Sequence, residues 1–339
     1  MELIMNNLNV IWFILLCVLF AGFFLLEGFD YGTGILLPVI GKTDVERRQM
    51  INALGPIWDG NEVWMITAGG ALFASFPHVY ATLFSGFYMA LFLMLAVLIM
   101  RGVAFEFRSK SANRTWRKVF DYCIFIGSIV PALLWGVTVG NLIQGTPIDE
   151  TMTYVGTFWD LLSPYTVLCG VAFILVFTYH GGLFTSLKTA GPVSERARAA
   201  ALVTGVPTAI GVIALIIASY VCTDLYNSTL AIVFCALAVV CFLISWGATR
   251  TRNTKWGFLF SSLSIILITA TYFAGLFPRI MVSSLNPAWS LTITNASSSE
   301  YTLALMTAVA AVFVPIVLAY QIWVYWIFRH RVTEKDLHY

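Results

Sequence analysis

Nine apolar runs, each near or above the length needed to cross a bilayer core, decide what this chain can fold into. They lie near residues 9–27 (running on to about 40), 56–76, 79–101, 121–143, 162–184, 200–222, 229–248, 257–277 and 302–328. A spanning helix needs roughly 18 to 20 predominantly apolar residues. Membrane-spanning strands are excluded, because they alternate polar and apolar over about 10 residues and these runs do not. Only 11% of the 339 residues are charged and 59% are hydrophobic, against about 25% charged in soluble proteins. The expected fold is an all-α, polytopic membrane bundle of about nine helices. It forms one domain over 1–339, since no linker separates a soluble unit.

The connecting segments give an orientation, because Lys and Arg favour the cytoplasmic side of short loops. With nine spans, one set of loops holds Lys42, Arg47 and Arg48; Arg101, Arg108, Lys110, Arg114, Arg117 and Lys118; Lys188, Arg196 and Arg198; Arg250, Arg252 and Lys255; and Arg329, Arg331 and Lys335. The other set holds only Arg279, the last of the 19 basic residues. The amino terminus is thereby expected outside and the carboxyl terminus in the cytoplasm. The first nine residues, MELIMNNLN, contain no Lys or Arg, whereas a cleaved signal opens on a basic segment. The first span is therefore expected to stay on the chain.

Residues 101–118 are expected as a basic linker at the headgroup surface, and 144–161 and 278–301 as ordered outer loops. The net charge of +2 is a topology signal and points to no nucleic-acid partner. The cysteines Cys17, Cys123, Cys169, Cys222, Cys235 and Cys241 fall in or beside the spans and read as small apolar packing residues. A disulfide between Cys222 and Cys235, across one outer loop, is conceivable.

Two spans carry acids where water is scarce. Glu27 and Asp30 lie in LLEGFDYGTG, and Asp59 and Glu62 in WDGNEVWMITAGG, each pair three residues apart and so on one helical face. An Asp at mid-membrane costs roughly 3 kcal/mol to insert, so exposing all four to lipid would cost on the order of 10 kcal/mol. They are expected to face the bundle interior, water or a partner at one inner depth, with Arg101 as counter-charge. Two uses follow: structural ion pairs between helices, or a proton or cation path entered from the inside. Gly28, Gly32, Gly34, Gly69 and Gly70 are expected to permit close helix approach or contact with a flat ligand, close packing being the commoner use.

Other chemistry is poorly represented. Among His78, His180, His330 and His338 only His180 lies where it could ligate a haem inside the membrane, and a lone His there is more often a polar helix-end residue. No His/Cys cluster for a metal, no nucleophile constellation and no phosphate loop is present in the sequence. Aromatics such as Trp58, Trp64, Phe73 and Phe87 could lie against a quinone or lipid tail.

Several blocks carry a resemblance. EGFDYGTGILLP (27–38), ERRQMINALGPIWDGNEVWMITAGGALFASFP (46–77), FSGFYMALFLMLAVLIMRGVAFEFRSK (84–110), DYCIFIGSIVPALLWGVTVGNLIQG (121–145) and NASSSEYTLALMTAVAAVFVPIVLAYQIWVYW (295–326) closely resemble subunit II of the bacterial cytochrome bd quinol oxidases, in order and spacing. The resemblance implies a partner, subunit I, that carries haem b and haem d (or haem b alone) and the quinol site. It implies a complex in the bacterial cell membrane that oxidises quinol, reduces O2 to water and generates a proton gradient without pumping, by drawing protons from the cytoplasm. No catalytic residue, haem ligand or metal is then expected in this chain. Asp30 and Asp59 match acidic positions thought to feed protons towards the oxygen-reducing haem, with Glu27 standing where some members have Asp. Trp58 and Arg101 match positions near that path or the subunit contact. CTDLYNS near residue 224 is short where some relatives carry a longer outer insertion. A small single-helix subunit and a quinone bound in this chain are left open. The rival reading, a proton- or cation-coupled secondary transporter using the same acids, calls for internal inverted repeats, which the sequence does not display.

Overall fold

The computed structural model describes residues 7–337; His338 and the start of the amino-terminal segment lie outside them. The chain is 81% helical. Helix α1 spans Leu8–Ile40, α2 Asp44–Leu54, α3 Trp58–Ser75, α4 Pro77–Gly86, α5 Tyr88–Phe107 and α6 Arg114–Gln144. Helix α7 spans Pro164–Lys188, α8 Pro192–Cys222, α9 Thr229–Arg250, α10 Thr254–Leu276 and α11 Glu300–Ile327.

Eight of these are long and apolar enough to cross a membrane: α1, α5, α6, α7, α8, α9, α10 and α11. The expected ninth crossing, α3, is not among them. Its 18 residues would span about 27 Å at 1.5 Å per residue, but Asp59, Asn61 and Glu62 in its first turns dilute its apolar character. The run expected over 79–101 is two helices. Helix α4 stops at Phe87, which has φ −96° and ψ 14°, and α5 restarts behind it.

Helix α1 is the hub, packed against α3, α6, α7 and α10. Its crossing with α7 brings backbone against backbone. A Cβ on Gly32 would overlap the Phe177 carbonyl oxygen, and one on Gly181 would overlap Gly32 itself. Gly28 and Gly34 are equally closed in, by Phe177 and Ser128. Gly69 and Gly70 make no close helix approach within this chain, since nothing lies within 4 Å of the Cβ either would carry. Trp12, Phe13, Leu16, Phe76, Phe87 and Met281 form the core at one end; Phe23, Phe24, Tyr31, Trp135 and Phe173 form the middle; Leu37, Ile40, Met50, Leu54 and Phe105 close the other end.

The segment 101–118 is no linker. Helix α5 continues to Phe107, Arg108–Lys110 makes one 3-10 turn, and α6 starts at Arg114, where the Asn113 side chain accepts from the Thr115 and Trp116 amides. A short helix, α2, also went unanticipated. Thr43 and Glu46 form a reciprocal capping box at its start, and Glu46 also pairs with Arg196. Partial desolvation of Glu46 opposes ionisation. The Arg196 guanidinium and the Thr43 and Lys42 amides outweigh it and hold this carboxyl below its usual range. Residues 144–161 and 278–301 are ordered, as expected: strand β1 (Arg279–Met281) pairs antiparallel with β2 (Leu291–Thr292), and Thr146 bridges to Ser283. All six cysteines are free thiols, so the Cys222–Cys235 disulfide does not form.

Candidate functional site

Four helices that are far apart in sequence bring polar groups together inside the bundle. Helix α1 supplies Glu27, Asp30 and Tyr31; α3 supplies Asn61 and Glu62; α5 supplies Arg101; and α11 supplies Tyr325. Glu27, Asp30, Asn61 and Arg101 are each 0% exposed. Arg101 fits because Gly127 on α6 lies against its backbone and Cβ, where a side chain would collide.

Arg101 Nη1 donates to Glu62 Oε1 at 3.1 Å and to Glu27 Oε2 at 3.4 Å. Its guanidinium carbon sits 5.0 Å from the Tyr31 ring centre and 5.2 Å from that of Phe105, so two rings face the cation. Glu62 keeps 25% of its side chain exposed, whereas Glu27 is sealed. A second chain runs beside the first. Tyr325 donates its hydroxyl to Asn61 Oδ1 at 2.7 Å, and Asn61 Nδ2 donates to Asp30 Oδ2 at 2.7 Å.

Four buried atoms at the centre have no hydrogen-bond partner in the protein: Glu27 Oε1, Asp30 Oδ1, and Arg101 Nε and Nη2. An unmet buried polar group costs about 1 to 3 kcal/mol, more when charged, and small polar cavities relieve that cost by holding water. Ionised throughout, Glu27, Asp30 and Glu62 would set three negative charges against the single Arg101. The arrangement is thus over-supplied with proton-accepting oxygen.

Asp59 stands apart from it. Its residue is exposed: Glu27, Asp30 and Glu62 turn to the bundle interior, and Asp59 lies on the surface open to water or a partner, both settings expected for these acids. Asp59 lies in the first turn of α3, while Asn61 and Glu62 farther along that helix reach Asp30 and Arg101. Trp58, half-buried, packs its ring on Phe105 at 5.2 Å between centroids and against Gly102. Asn61, Tyr31 and Tyr325 were not anticipated. Asn61 could have been suspected from its place between Asp59 and Glu62. Tyr325 lies 264 residues from its partner, and nothing in its surroundings in the sequence separates it from an interfacial aromatic.

His180 is fully buried, with Nδ1 2.9 Å from Ser261 Oγ and Nε2 3.2 Å from the Leu25 carbonyl oxygen. Its ring stacks on Phe258 at 4.7 Å and 4°. Both nitrogens are engaged, so it does not fit as a haem ligand. Among the described residues no group of three or more His, Cys, Asp or Glu could hold a metal ion. Two apolar clefts open on the bundle surface, of about 120 Å3 beside Phe173, Ile213 and Tyr272 and about 80 Å3 beside Phe20, Met65 and Gly69. Their walls suit a hydrocarbon tail.

Residues 8–328 match the family model described as cytochrome bd terminal oxidase subunit II. Over 334 residues the chain is 40% identical to cytochrome bd ubiquinol oxidase subunit 2 of Bacillus subtilis (strain 168), covering 98% of this chain and 99% of that one. It is 41% identical over 355 residues to the probable cytochrome oxidase subunit 2 of Haemophilus influenzae, covering 94% and 93%. Cytochrome bd-I ubiquinol oxidase subunit 2 of Escherichia coli (strain K12) is 40% identical over 365 residues, covering 97% and 96%. A chain of the bd oxidase from Geobacillus thermodenitrificans superposes with a TM-score of 0.77 at 17% identity, over 95% of this chain and 98% of that one, a likeness of fold. The transporter reading has no such support, and the chain belongs to the cytochrome bd terminal oxidase subunit II family.

Proposed function

We propose that this protein is the subunit of a quinol:dioxygen oxidoreductase that carries protons from the cytoplasm towards the oxygen-reducing centre of subunit I. It is a multi-pass protein of the bacterial plasma membrane. The haems reside on subunit I and supply the electron and oxygen chemistry when bound. Two quinols release four electrons and four protons, and dioxygen takes up four of each to give two waters. Drawing the second set of protons from the inside and releasing the first set outside builds a gradient without pumping.

Support for the proton route comes chiefly from the cluster around Arg101. Glu27 and Glu62 on the Arg101 guanidinium, with Asp30 beside them on Asn61, leave four buried atoms without a protein partner; a hydrated relay needs such sites, because each hop covers only a hydrogen-bond length. Asn61 and Tyr325 hold one oxygen of Asp30 and leave the other free. Glu62 accepts from Arg101 and keeps part of its side chain exposed, at the rim of the cluster. The exposed Asp59, three residues before it, is the point at which the route passes to subunit I. That assignment requires α3 to cross the membrane as the ninth span, with the amino terminus outside. It also makes the exposed apolar faces of α3 and α5, with Val63, Ile66, Phe92 and Ile99, surfaces for subunit I or lipid.

The test is Asp30→Asn in the purified complex. With haem content unchanged, quinol-driven oxygen consumption falls by at least about tenfold, the lower end of what a positioned proton-transfer group contributes. Unchanged turnover removes Asp30 from the route.

A further inference from the structure

A second polar concentration lies at the Lys- and Arg-rich end of the bundle, outside the Arg101 cluster. It is a cavity of about 700 Å3 between the end of α1 at Pro38, the start of α2, the turn at Arg108 and the first turns of α6. Six cationic side chains line it, Lys42, Arg47, Arg108, Arg114, Arg117 and Lys118, against two carboxylates, Asp44 and Asp121. Four positive charges are therefore in excess.

Both carboxylates are already committed. Asp121 accepts from Arg47 at 2.7 Å and from Arg108 Nε at 2.5 Å, and Asp44 accepts from Arg108 Nη2 at 3.0 Å and from Arg117 at 2.7 Å. These bonds fix three guanidinium groups in place and leave Lys42, Arg114 and Lys118 with no ion pair among the described residues. The Arg108 side chain is 1% exposed, and its Nη1 is buried with no hydrogen-bond acceptor in the protein. Preset guanidinium forks match phosphate oxygens, which accept two parallel N–H bonds.

The surface beside the cavity identifies what carries the phosphate. On α6, Val119, Tyr122 and Ile126 share one face and are 53%, 51% and 40% exposed; Phe107, at the end of α5, is 51% exposed. This apolar strip leads from the cavity along the membrane-spanning part of α6, which is where acyl chains attached to a bound headgroup would lie. A free anion would have no use for it. A zwitterionic headgroup would bring its own cation into a cavity already in positive excess.

We propose that this cavity binds the headgroup of an anionic phospholipid, with its acyl chains along Phe107, Val119, Tyr122 and Ile126. The site is independent of the proton route. It ties α2, α5 and α6 to the inner leaflet, whose negative lipids attract clustered Lys and Arg.

The experiment uses the purified two-subunit complex. Retained phospholipid is counted by mass spectrometry, and the delipidated complex is then titrated separately with short-chain phosphatidylglycerol, short-chain phosphatidylcholine and inorganic phosphate. The triple variant K42Q/R114Q/K118Q removes only cations that have no ion pair, so assembly is preserved. A control, R250Q/R252Q/K255Q, removes the same charge from another inner loop. The expected result is one retained anionic phospholipid lost in the triple variant, with phosphatidylglycerol affinity lowered at least about tenfold, and both unchanged in the control. Phosphatidylcholine binds weakly throughout. The proposal is overturned if the triple variant binds phosphatidylglycerol like the parent, or if the control loses as much affinity. It is equally overturned if inorganic phosphate binds as tightly as the lipid, which would make the cavity a free-anion site.

Discussion

Arg101 and Glu27 meet at 3.4 Å with both side chains at 0% exposure, one from α5 and one from α1. Breaking a buried pair by deleting one partner costs about 3 to 5 kcal/mol, because the other charge is left unpaired. Arg101→Ala is therefore expected to lower the yield of assembled, haem-containing complex severalfold, measured by the haem spectrum per unit of membrane protein. Arg101→Lys keeps the charge but presents no fork and no flat face to Tyr31 and Phe105. It should assemble better than the alanine variant while turning over slowly.

Asp59 forms no ion pair or hydrogen bond among the described residues and is exposed, so its replacement has little structural cost. Asp59→Asn should assemble with normal haem content and still consume oxygen at least about tenfold more slowly with quinol as donor. Parent-like oxygen consumption would remove Asp59 from the route.

Tyr325→Phe removes the donor to Asn61 and nothing else of comparable size. The loss of one buried hydrogen bond is worth about 1 kcal/mol, roughly a fivefold effect on a rate it positions. Tyr325 acts through Asn61, so the rate should fall while the KM for quinol stays where it was. Asn61→Asp should disturb the pH profile of turnover, because it sets a second carboxyl against Asp30. A pH profile identical to the parent's would mean that Asn61 merely braces α3 against α11.

The glycines give a prediction about stability alone. Gly181→Ala pushes a methyl into the α1 backbone at Gly32, and overpacking of this kind costs about 1 to 3 kcal/mol or more where the backbone itself must move. Complex yield and thermal stability should fall together. Gly69→Ala has open space around the new methyl and should leave both within error.

The apolar runs made the helical bundle legible, because insertion cost leaves a chain of this composition few other folds. Capping and breaking signals inside those runs were harder to weigh. The break at Phe87 is marked only by Ser85 and Gly86 within a hydrophobic run, and the Thr43/Glu46 capping box that starts α2 lies in a stretch that reads as a loop. Within the site, Glu27, Asp30, Glu62 and Arg101 stood out because a charge in a spanning helix is expensive wherever it sits. Asn61 and Tyr325 carry no such penalty, and their roles depend on how α3 and α11 meet. The direction in which Asp59 points likewise depends on how α3 is rotated about its own axis. Periodicity within α3 does not settle this, since its apolar residues are spread around the helix.

If protons reach the oxygen-reducing centre through the carboxylates around Arg101, their route can be followed by time-resolved proton uptake from the interior-facing side after an oxygen pulse. The comparison is between the parent complex and Glu27→Gln, both reconstituted in vesicles with matched haem content. Uptake in the variant is expected to slow in step with its oxygen consumption. Uptake at the parent's rate in Glu27→Gln would contradict that route.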